Sequence, residues 1–515
     1  MHRRSAKKAS LVVNHSPSNN PVVPERATTR QWLALSVLLL PVLLVSVDNT
    51  VLAFAVPQIS SQLQPTGEQL LWVVDIYPLI MATLLVPMGV VADRFGRRRL
   101  LFIGSAGFAG ASALAALSPH AGYLIMGRAL IAVFGAMLMP STMALIRNIF
   151  IDGKQRRLAI AIWAVSFSAG GALGPVLGGV LLNHFYWGSI FLMAVPILVV
   201  FLITAPWLLP ESRNPQSNKI DLISVGLAIG AMAPMVYGIT ILATSPQLVR
   251  GITTIVGGVG LGLLFVLRQL RTPNPLLDLT LFANRTFRGS VVMNFFIIVA
   301  LVGFLFFATQ DLQLVMGLDS ITAALVLVPG LMATMVAGIV VVPIVARVKP
   351  ATVVFISLLL SAAGYGLVAL ATTTPVIIMV AFIVLGIGIG AGETVSNDLI
   401  LTTAPADQSG AASAISETAY EVGAAMGAAV IGGLITASFR HQLIIPQGIR
   451  NTHGLDTLGG AVEVAHEVGG WQGAQLLTNA QQAFASSAVI TAGVGALLMC
   501  LAALYAVVAL RDAQA

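Results

Sequence analysis

Several acidic residues lie inside long apolar runs of this 515-residue chain. A carboxylate at the centre of a membrane helix costs about 2.5–3.5 kcal/mol on insertion scales, so an acid there must face water, a cation or a partner. Side chains of this kind can bind cations or carry protons. The acids are Asp48, Asp75, Glu393, Asp398, Glu417 and Glu421.

Glu417 and Glu421 are four residues apart, so they share one face of a helix. Two carboxylates this close resist being ionised together, which allows the pair to hold a proton near neutral pH. An exchanger needs such a site, because it must bind either a proton or a cation. Tyr420, between the two acids, is a candidate for substrate binding. Aromatic side chains are plentiful in the apolar runs and would suit flat cations, but the sequence alone does not identify those that line a cavity. The alternative is that each acid is buried and satisfied by a hydroxyl group.

Asp48 and Arg128 are candidates for an ion pair inside the membrane. Asp48 lies in the outer half of the first apolar run, and Arg128 lies about two turns into the fourth run from the same side. A close pair is worth about 4 kcal/mol at an effective dielectric constant near 20. A proton on Asp48 would break the pair. The attraction lost would be enough to bias a conformational equilibrium. The alternative is a permanent structural ion pair.

The remaining intramembrane acids have less specific surroundings. Asp75 lies near the outer end of the second run and can bind cations or reach interfacial water. Glu393 follows a glycine-rich stretch and is a further candidate for substrate binding, together with Asp75, Tyr420 and Glu421. Asp311 and Asp398 lie near the ends of their runs, where we expect them to be solvated.

The elements that must position these residues are membrane helices. Hydrophobic residues make up 57% of the chain and charged residues only 9%, against roughly 25% charged in ordinary globular proteins. Apolar runs of about 17–25 residues, the length that crosses a bilayer, recur along the chain. The predicted spans are 32–57, 69–91, 100–118, 122–146, 158–182, 187–209, 222–243, 250–270, 287–310, 319–346, 351–371, 376–402, 410–437 and 484–511.

Fourteen spans place almost all of the 27 Lys and Arg residues on one side of the membrane. The positive-inside rule then predicts that both termini are cytoplasmic, in the inner (cytoplasmic) membrane of a cell. The charges orient the protein, which argues against nucleic-acid binding. The exceptions are Arg128, Arg250, Arg440 and Arg450.

Cofactor, metal and nucleotide sites are not indicated. The single cysteine, Cys500, lies in the last apolar run, so neither a disulfide framework nor a cysteine-based metal site is possible. No Gly-rich phosphate loop followed by Lys-Ser or Lys-Thr occurs, so the energy source should be an ion gradient. We expect no enzymatic activity.

Polar segments divide the chain. We expect a disordered cytoplasmic tail at 1–31, a six-helix bundle at 32–209, a linker with two extra helices at 210–286, and a second six-helix bundle at 287–515. Segment 440–483 is too long for a hairpin loop and should be extracellular. Its valines among acidic residues suggest amphipathic structure resting on the rim of the protein, and the alternative is a disordered loop.

The loop after the second span contains an acid, a turn glycine and clustered arginines. At a helix junction these residues can form a charge lock, in which the acid lies near a helix N-terminus and the arginines bind carboxylates or carbonyls. The alternative is simple positive-inside anchoring. The motif residues are Gly89, Asp93, Arg94, Gly96 and Arg97.

The fifth span combines small residues at four-residue spacing with a proline. This pattern predicts close backbone contact with another helix and a bend within the membrane. Generic tight packing would explain the glycines alone. The residues are Gly170, Gly174, Pro175, Gly178 and Gly179.

Together with the Asp48-Asn49-Thr50 run of the first span, these motifs resemble those of the fourteen-helix drug:proton antiporters of the major facilitator superfamily, which include quaternary-ammonium and dye exporters. The resemblance covers the chain from Trp32 onward, and Ala132 departs from it where a glycine is frequent. It implies an all-α membrane protein of the major facilitator fold, with two six-helix bundles plus two additional helices. It also implies alternating access and roles for Asp48, Arg128, Glu417 and Glu421 in proton coupling.

By this resemblance the expected function is proton-coupled efflux of lipophilic cations. Quaternary ammonium compounds, dyes, biguanides and fluoroquinolones all stay open as substrates. The expected partners are small cationic molecules, protons and membrane lipid, and the expected functional unit is a monomer. The alternatives are a proton-coupled nutrient symporter and a membrane receptor or scaffold that has kept the fold.

Overall fold

The computed structural model describes residues 27–213, 221–244, 247–273, 275–371, 374–405, 409–449 and 454–511. Every regular element among these residues is a helix, and fourteen helical segments are long and apolar enough to cross a membrane. The predicted all-α architecture with fourteen spans is therefore confirmed.

The first six spans form one packing group, here called the first helix group. Within it α1 packs against α5, α2 against α4, and α3 against both α4 and α7. A short break at Met193 divides the sixth span into α6 and α7. The helices are α1 (Thr29–Leu63), α2 (Gly67–Phe95), α3 (Arg97–Ala116), α4 (Ala121–Ile149), α5 (Gly153–His184), α6 (Ser189–Leu192) and α7 (Ala194–Leu208).

Two extra helices, α8 (Leu222–Thr244) and α9 (Leu248–Arg271), pack against each other as a hairpin. At one end Arg268 donates two hydrogen bonds to the carboxylate of Asp221, at 2.9 and 3.1 Å. These bonds are the main cause that lowers the pKa of Asp221 to about 2, because they stabilise its charged form. Helix α8 contacts the rest of the bundle through α2 and through the helical segment Gly433–Gln442.

The last six spans form the second helix group. Within it α13 packs against α10, α11 and α12, and α12 packs against α17. The ninth span continues α10 through a π turn, Asp311–Val315, and the thirteenth joins α14 to α15 through a π segment, Gly427–Gly432. The helices are α10 (Arg285–Gln310), α11 (Ser320–Val345), α12 (Pro350–Leu370), α13 (Pro375–Thr403), α14 (Ser409–Met426), α15 (Gly433–Gln442) and α17 (Gly470–Ala509).

The segment before the last span is more helical than the sequence suggests. Helix α16 (Leu458–Val468) lies within it, and α17 begins at Gly470, fourteen residues before the predicted start of the last span at 484. Residues 470–483 are rich in Gln and Ala, so they extend the helix without adding to the apolar run. The side chain of Val464 is buried, and α16 packs against both α1 and α17.

Candidate transport site

Asp48 and Arg128 form a buried ion pair. Arg128 Nη1 lies 2.7 Å from Asp48 Oδ2, and the two side chains are only 2% and 8% exposed. The guanidinium carbon Cζ of Arg128 lies 4.5 Å from the centre of the Tyr77 ring and 5.9 Å from that of Phe191. Within the described part of the chain Arg128 Nε has no hydrogen-bond partner. The cation is thus held by one carboxylate and two aromatic faces.

The glycines of α5 set the position of α1, which carries Asp48. A Cβ atom at Gly170, Gly174 or Gly178 would lie 1.9–2.9 Å from atoms of α1, closer than real Cβ atoms approach other atoms. Thr50 of α1 fills the space beside Gly174 and donates a hydrogen bond to a carbonyl of α5 at 3.0 Å. The three glycines recur every four residues and so face one side of α5. The close contact expected from the sequence is therefore present, and its partner is α1.

The same motif also joins the two helix groups. A Cβ at Gly179 would lie 3.0 Å from both the Cβ of Ala324 and the carbonyl oxygen of Ser320 at the start of α11. Pro175 is buried within α5, which runs as one helix from Gly153 to His184. The motif therefore places α5 between α1 on one side and α11 on the other.

A cavity lies between the two helix groups, with Arg128 on its wall. Helices α1, α2, α4, α10 and α14 contribute to the lining. Most of the lining is aliphatic or aromatic, as is usual for small-molecule sites. Its residues are Asn49, Thr50, Leu52, Ala53, Val56, Val74, Tyr77, Pro78, Arg128, Leu301, Val302, Leu305, Phe306, Tyr420 and Ala424.

Glu421 of α14 is a third charged group near this ion pair. Its side chain is buried, and one carboxylate oxygen, Oε2, has no hydrogen-bond partner among the described residues. It lies within electrostatic range of Glu417, Arg128 and Asp48. Glu421 therefore interacts with the charges of the ion pair between α1 and α4.

Asp75 is fully buried, and neither of its carboxylate oxygens has a hydrogen-bond partner within the described ranges. It therefore does not reach interfacial water in this structure. Trp72, on the same helix, contacts Tyr237 of α8 with 6.4 Å between the ring centres. Helix α2 packs against both α14 and α8. A carboxylate in this position requires a proton or a cation.

The exposure of three further acids, Glu393, Asp398 and Asp311, can be compared with the expectation from the sequence. Glu393 is half-buried and lies within electrostatic range of Tyr420. Asp398 is exposed, as expected. The expectation for Asp311 is wrong, because its side chain is only 1% exposed: the π turn that contains it prolongs α10 and packs against α17.

The loop between α2 and α3 forms a charged junction with the segment after α7. Asp93 pairs with Arg97, the first residue of α3, at 2.8 Å. Arg97 also donates to the hydroxyl of Ser212 at 3.2 Å. Gly96 has φ +115°, a backbone conformation that favours glycine, and it packs beside the flexible carboxylate of Glu211.

The other motif residues contribute differently to this junction. Arg94 is exposed, and the structure shows no ion pair for it among the residues that it describes. A Cβ at Gly89 would make an ordinary contact, 3.6 Å from the Cβ of Pro140. The sequence did not identify Glu211 and Ser212 as partners, because they follow the sixth span and no local pattern connects them to this loop.

The comparisons with known proteins agree with this arrangement. The family model of the Major Facilitator Superfamily matches residues 38–428. The chain is 47% identical to the multidrug efflux pump LfrA of Mycolicibacterium smegmatis over 491 residues, which cover 94% of this chain and 97% of LfrA. It is 36% identical to the methyl viologen resistance protein SmvA of Salmonella typhimurium, over 92% of this chain and 97% of SmvA.

The fold is also that of a solved transporter. A bacterial homologue of the human lysosomal transporter Spinster, crystallised in an inward-facing and unoccupied conformation, matches with a TM-score of 0.65 and 16% identity, over 95% of this chain and all of that one. The chain belongs to the major facilitator superfamily. It is a multi-pass membrane transporter and not an enzyme, and its relatives include a multidrug efflux pump and a methyl viologen resistance protein.

Proposed function

We propose that this chain is a proton-coupled antiporter that exports lipophilic cations from the cytoplasm by alternating access. The observation that carries the proposal is the buried pair of Asp48 and Arg128 on the wall of the central cavity, at 2.7 Å. A carboxylate that pairs with a cation beside a substrate cavity loses that pairing when it accepts a proton. Proton binding can therefore change the cavity.

The proton acts first on the ion pair. Protonation of Asp48 removes the negative charge opposite Arg128 and with it an attraction of about 4 kcal/mol at an effective dielectric constant near 20. The guanidinium then keeps its contacts with the faces of Tyr77 and Phe191. Since Asp48 is on α1 and Arg128 on α4, loss of the pair changes the relation between two helices that line the cavity.

The unpaired carboxylates supply the exchange. Glu421 has an oxygen without a hydrogen-bond partner among the residues that the structure describes, and Glu417 lies one turn away, so each can hold either a proton or a substrate cation. Asp75, buried without hydrogen-bond partners among the described residues, is a further cation-binding group. The names of LfrA and SmvA, a multidrug efflux pump and a methyl viologen resistance protein, support drug and cation efflux.

The contacts between the helix groups indicate which side of the cavity is closed. Gln313 after α10 donates to the carbonyl of Phe54 in α1 at 3.3 Å, and Ser60 of α1 donates to Thr457 before α16 at 2.9 Å. Both contacts lie toward the end of α1 opposite Thr29. We infer that this end is extracellular and that the structure is an inward-facing state.

The cycle that we propose moves 32–209 and 287–515 as two bundles, with 210–286 carried alongside. Both termini are cytoplasmic, the protein lies in the inner membrane, and one chain is the functional unit. The substrates that we propose are quaternary ammonium compounds, dyes and biguanides, and fluoroquinolones are the further class to test.

The experiment is efflux of ethidium from proteoliposomes into which the protein has been reconstituted, with the pH gradient imposed and the membrane potential clamped. Export that speeds up when the receiving side is acidified supports antiport. Export that is accelerated only when protons and substrate move in the same direction would indicate a symporter. A complete absence of transport, with a folded and inserted protein, would indicate a receptor or scaffold.

A further inference from the structure

A line of aromatic rings runs from α5 to α14 beside the cavity. Trp163 and Phe167 of α5 are nearly parallel, with ring centres 6.3 Å apart and an angle of 10° between the planes. Phe167 meets Tyr420 of α14 edge to face at 6.4 Å. Trp163 is fixed by a hydrogen bond of 3.2 Å from its Nε1 to Thr142 of α4. One helix group thus contributes Phe167 and the other Tyr420.

Carboxylates surround the Tyr420 end of this line. Tyr420 is within electrostatic range of Glu393 and Glu421, and Glu421 is within range of Glu417. In the described portion of the chain neither Glu393 nor Glu417 has a hydrogen bond or an ion pair. The basic group that acts on Glu417 is Arg147, whose side chain is exposed.

These groups form a patch that is separate from the cavity lining. Tyr420 lines the cavity, whereas Phe167, Glu393 and Glu417 do not. Glu417 lies about one turn nearer to Ser409, the start of α14, than Tyr420 does. Phe167, Tyr420, Glu393 and Glu417, here called the inner patch, therefore extend from the cavity wall at Tyr420 toward that end of α14.

We propose that the inner patch is a second cation-binding subsite, which holds an aromatic cation before it enters the cavity past Tyr420. This inference rests on the proposed export of cations and deepens it. Arg147, the cation that acts on Glu417, is exposed, so solvent screens its charge. A cation bound at the patch therefore lowers the cost of burying these carboxylates. The rings of Phe167 and Tyr420 provide the faces on which a flat cation stacks.

The chemistry of the patch excludes other kinds of occupant. An anion would be repelled by Glu393, Glu417 and Glu421 together. A neutral molecule could stack against Phe167, but it would not compensate the carboxylates in their ionised form. Arg128 does not serve as the counter-ion, because it is already paired with Asp48 at 2.7 Å.

The test is the affinity for ethidium of the purified full-length protein, measured by fluorescence anisotropy without any gradient. Phe167→Leu and Glu393→Gln should each raise Kd roughly threefold to thirtyfold, which is the range expected for loss of a cation–π or screened charge contact. Phe167→Tyr should bind ethidium with the wild-type Kd, because it keeps the aromatic face. Glu393→Gln keeps the shape of the side chain and covers the case in which Phe167→Leu does not fold.

Matched controls are available in the same chain. Asp398→Asn removes an acid from the exposed face of α13, the helix that carries Glu393, and Phe102→Leu removes a phenyl ring from α3. Both should bind ethidium like the wild type. Wild-type affinity in both Phe167→Leu and Glu393→Gln would overturn the subsite, as would the absence of ethidium binding to the wild type.

Efflux assays on the same preparations separate the two proposals. If the wild type exports ethidium against protons but both patch variants bind it normally, the subsite is wrong and the proposed function stands. If the wild type binds ethidium and the patch variants lose affinity, but a pH gradient drives no export, the subsite stands and the proton-coupled function is wrong.

Discussion

The glycine contact between α5 and α1 gives the sharpest structural prediction. A Cβ atom at position 174 would lie 1.9 Å from Thr50 Oγ1, 3.1 Å from Thr50 Cβ and 3.2 Å from the carbonyl oxygen of Val47. Gly174→Ala therefore pushes α1 away from α5, and Gly174→Leu pushes it further. Because α1 carries Asp48 two residues before Thr50, the displacement reaches the ion pair with Arg128.

The magnitude follows from the cost of overpacking, about 1–3 kcal/mol for each added group. A cost of this size changes the population of the conformation with close α1–α5 contact by roughly fivefold to 150-fold. We expect Gly174→Leu to damage the transport cycle more than folding, since a conformation in which the two helices separate relieves the clash.

The assay compares substrate binding, initial efflux rate and thermal unfolding for each variant. Gly171→Ala is the matched control, because a Cβ there would lie 3.5 Å from Ser46 Oγ and 3.9 Å from Thr50 Cγ2, at ordinary contact distances. It should transport like the wild type. Adding Thr50→Ala to Gly174→Ala removes the closest atom and should restore part of the lost transport.

Two results would refute this reasoning. The first is a Gly174→Leu variant that binds substrate and transports it at the wild-type rate, because the close contact would then have no role in the cycle. The second is an equal loss in Gly171→Ala and Gly174→Ala, which would mean that the space beside each glycine does not decide the effect.

Three further predictions concern charged groups. Asp48→Asn should abolish proton-driven export while the protein remains folded and inserted, because Asn keeps the shape but can neither titrate nor pair ionically with Arg128; full export at normal expression would contradict this. Glu421→Gln should slow efflux of all cations, whereas Glu417→Gln should slow efflux of divalent cations more than of monovalent ones. The measurement is the initial efflux rate of a matched monovalent and divalent substrate. Equal fractional losses for the two substrates in Glu417→Gln would contradict the use of two protons. Asp221→Asn should lower the unfolding temperature above pH 4, and the difference from the wild type should fade as the pH drops from about 4 to about 2, because the folded-state pKa of Asp221 is lowered from 3.8 to about 2.

The number of helices and their approximate bounds follow from the sequence, because apolar length in a membrane protein is set by the bilayer. The start of α17 does not follow, since residues 470–483 are polar but helix-forming and pack against the neighbouring α15 and α16. The burial of Asp311 was missed for a similar reason. A π turn extends α10 beyond the point at which the apolar run ends.

The candidate site could be predicted in part. Intramembrane charges are rare, so Asp48, Arg128 and Glu421 stand out as candidates from composition alone. The rings that surround them do not, because aromatic residues are common throughout the spans and helix packing decides which ones face the charges. Phe191 beneath Arg128 and Trp163 behind Phe167 needed the structure for this reason.

The central claim is that entry of protons drives exit of cations through the site that contains Asp48 and Arg128. The most direct measurement is ethidium efflux from proteoliposomes with the membrane potential clamped and the pH of the receiving side varied, for the wild type and for Asp48→Asn. The account predicts that acidifying the receiving side speeds export by the wild type and leaves Asp48→Asn unaffected. Wild-type export that does not change with the pH gradient, or an Asp48→Asn variant that responds to it like the wild type, would contradict the account.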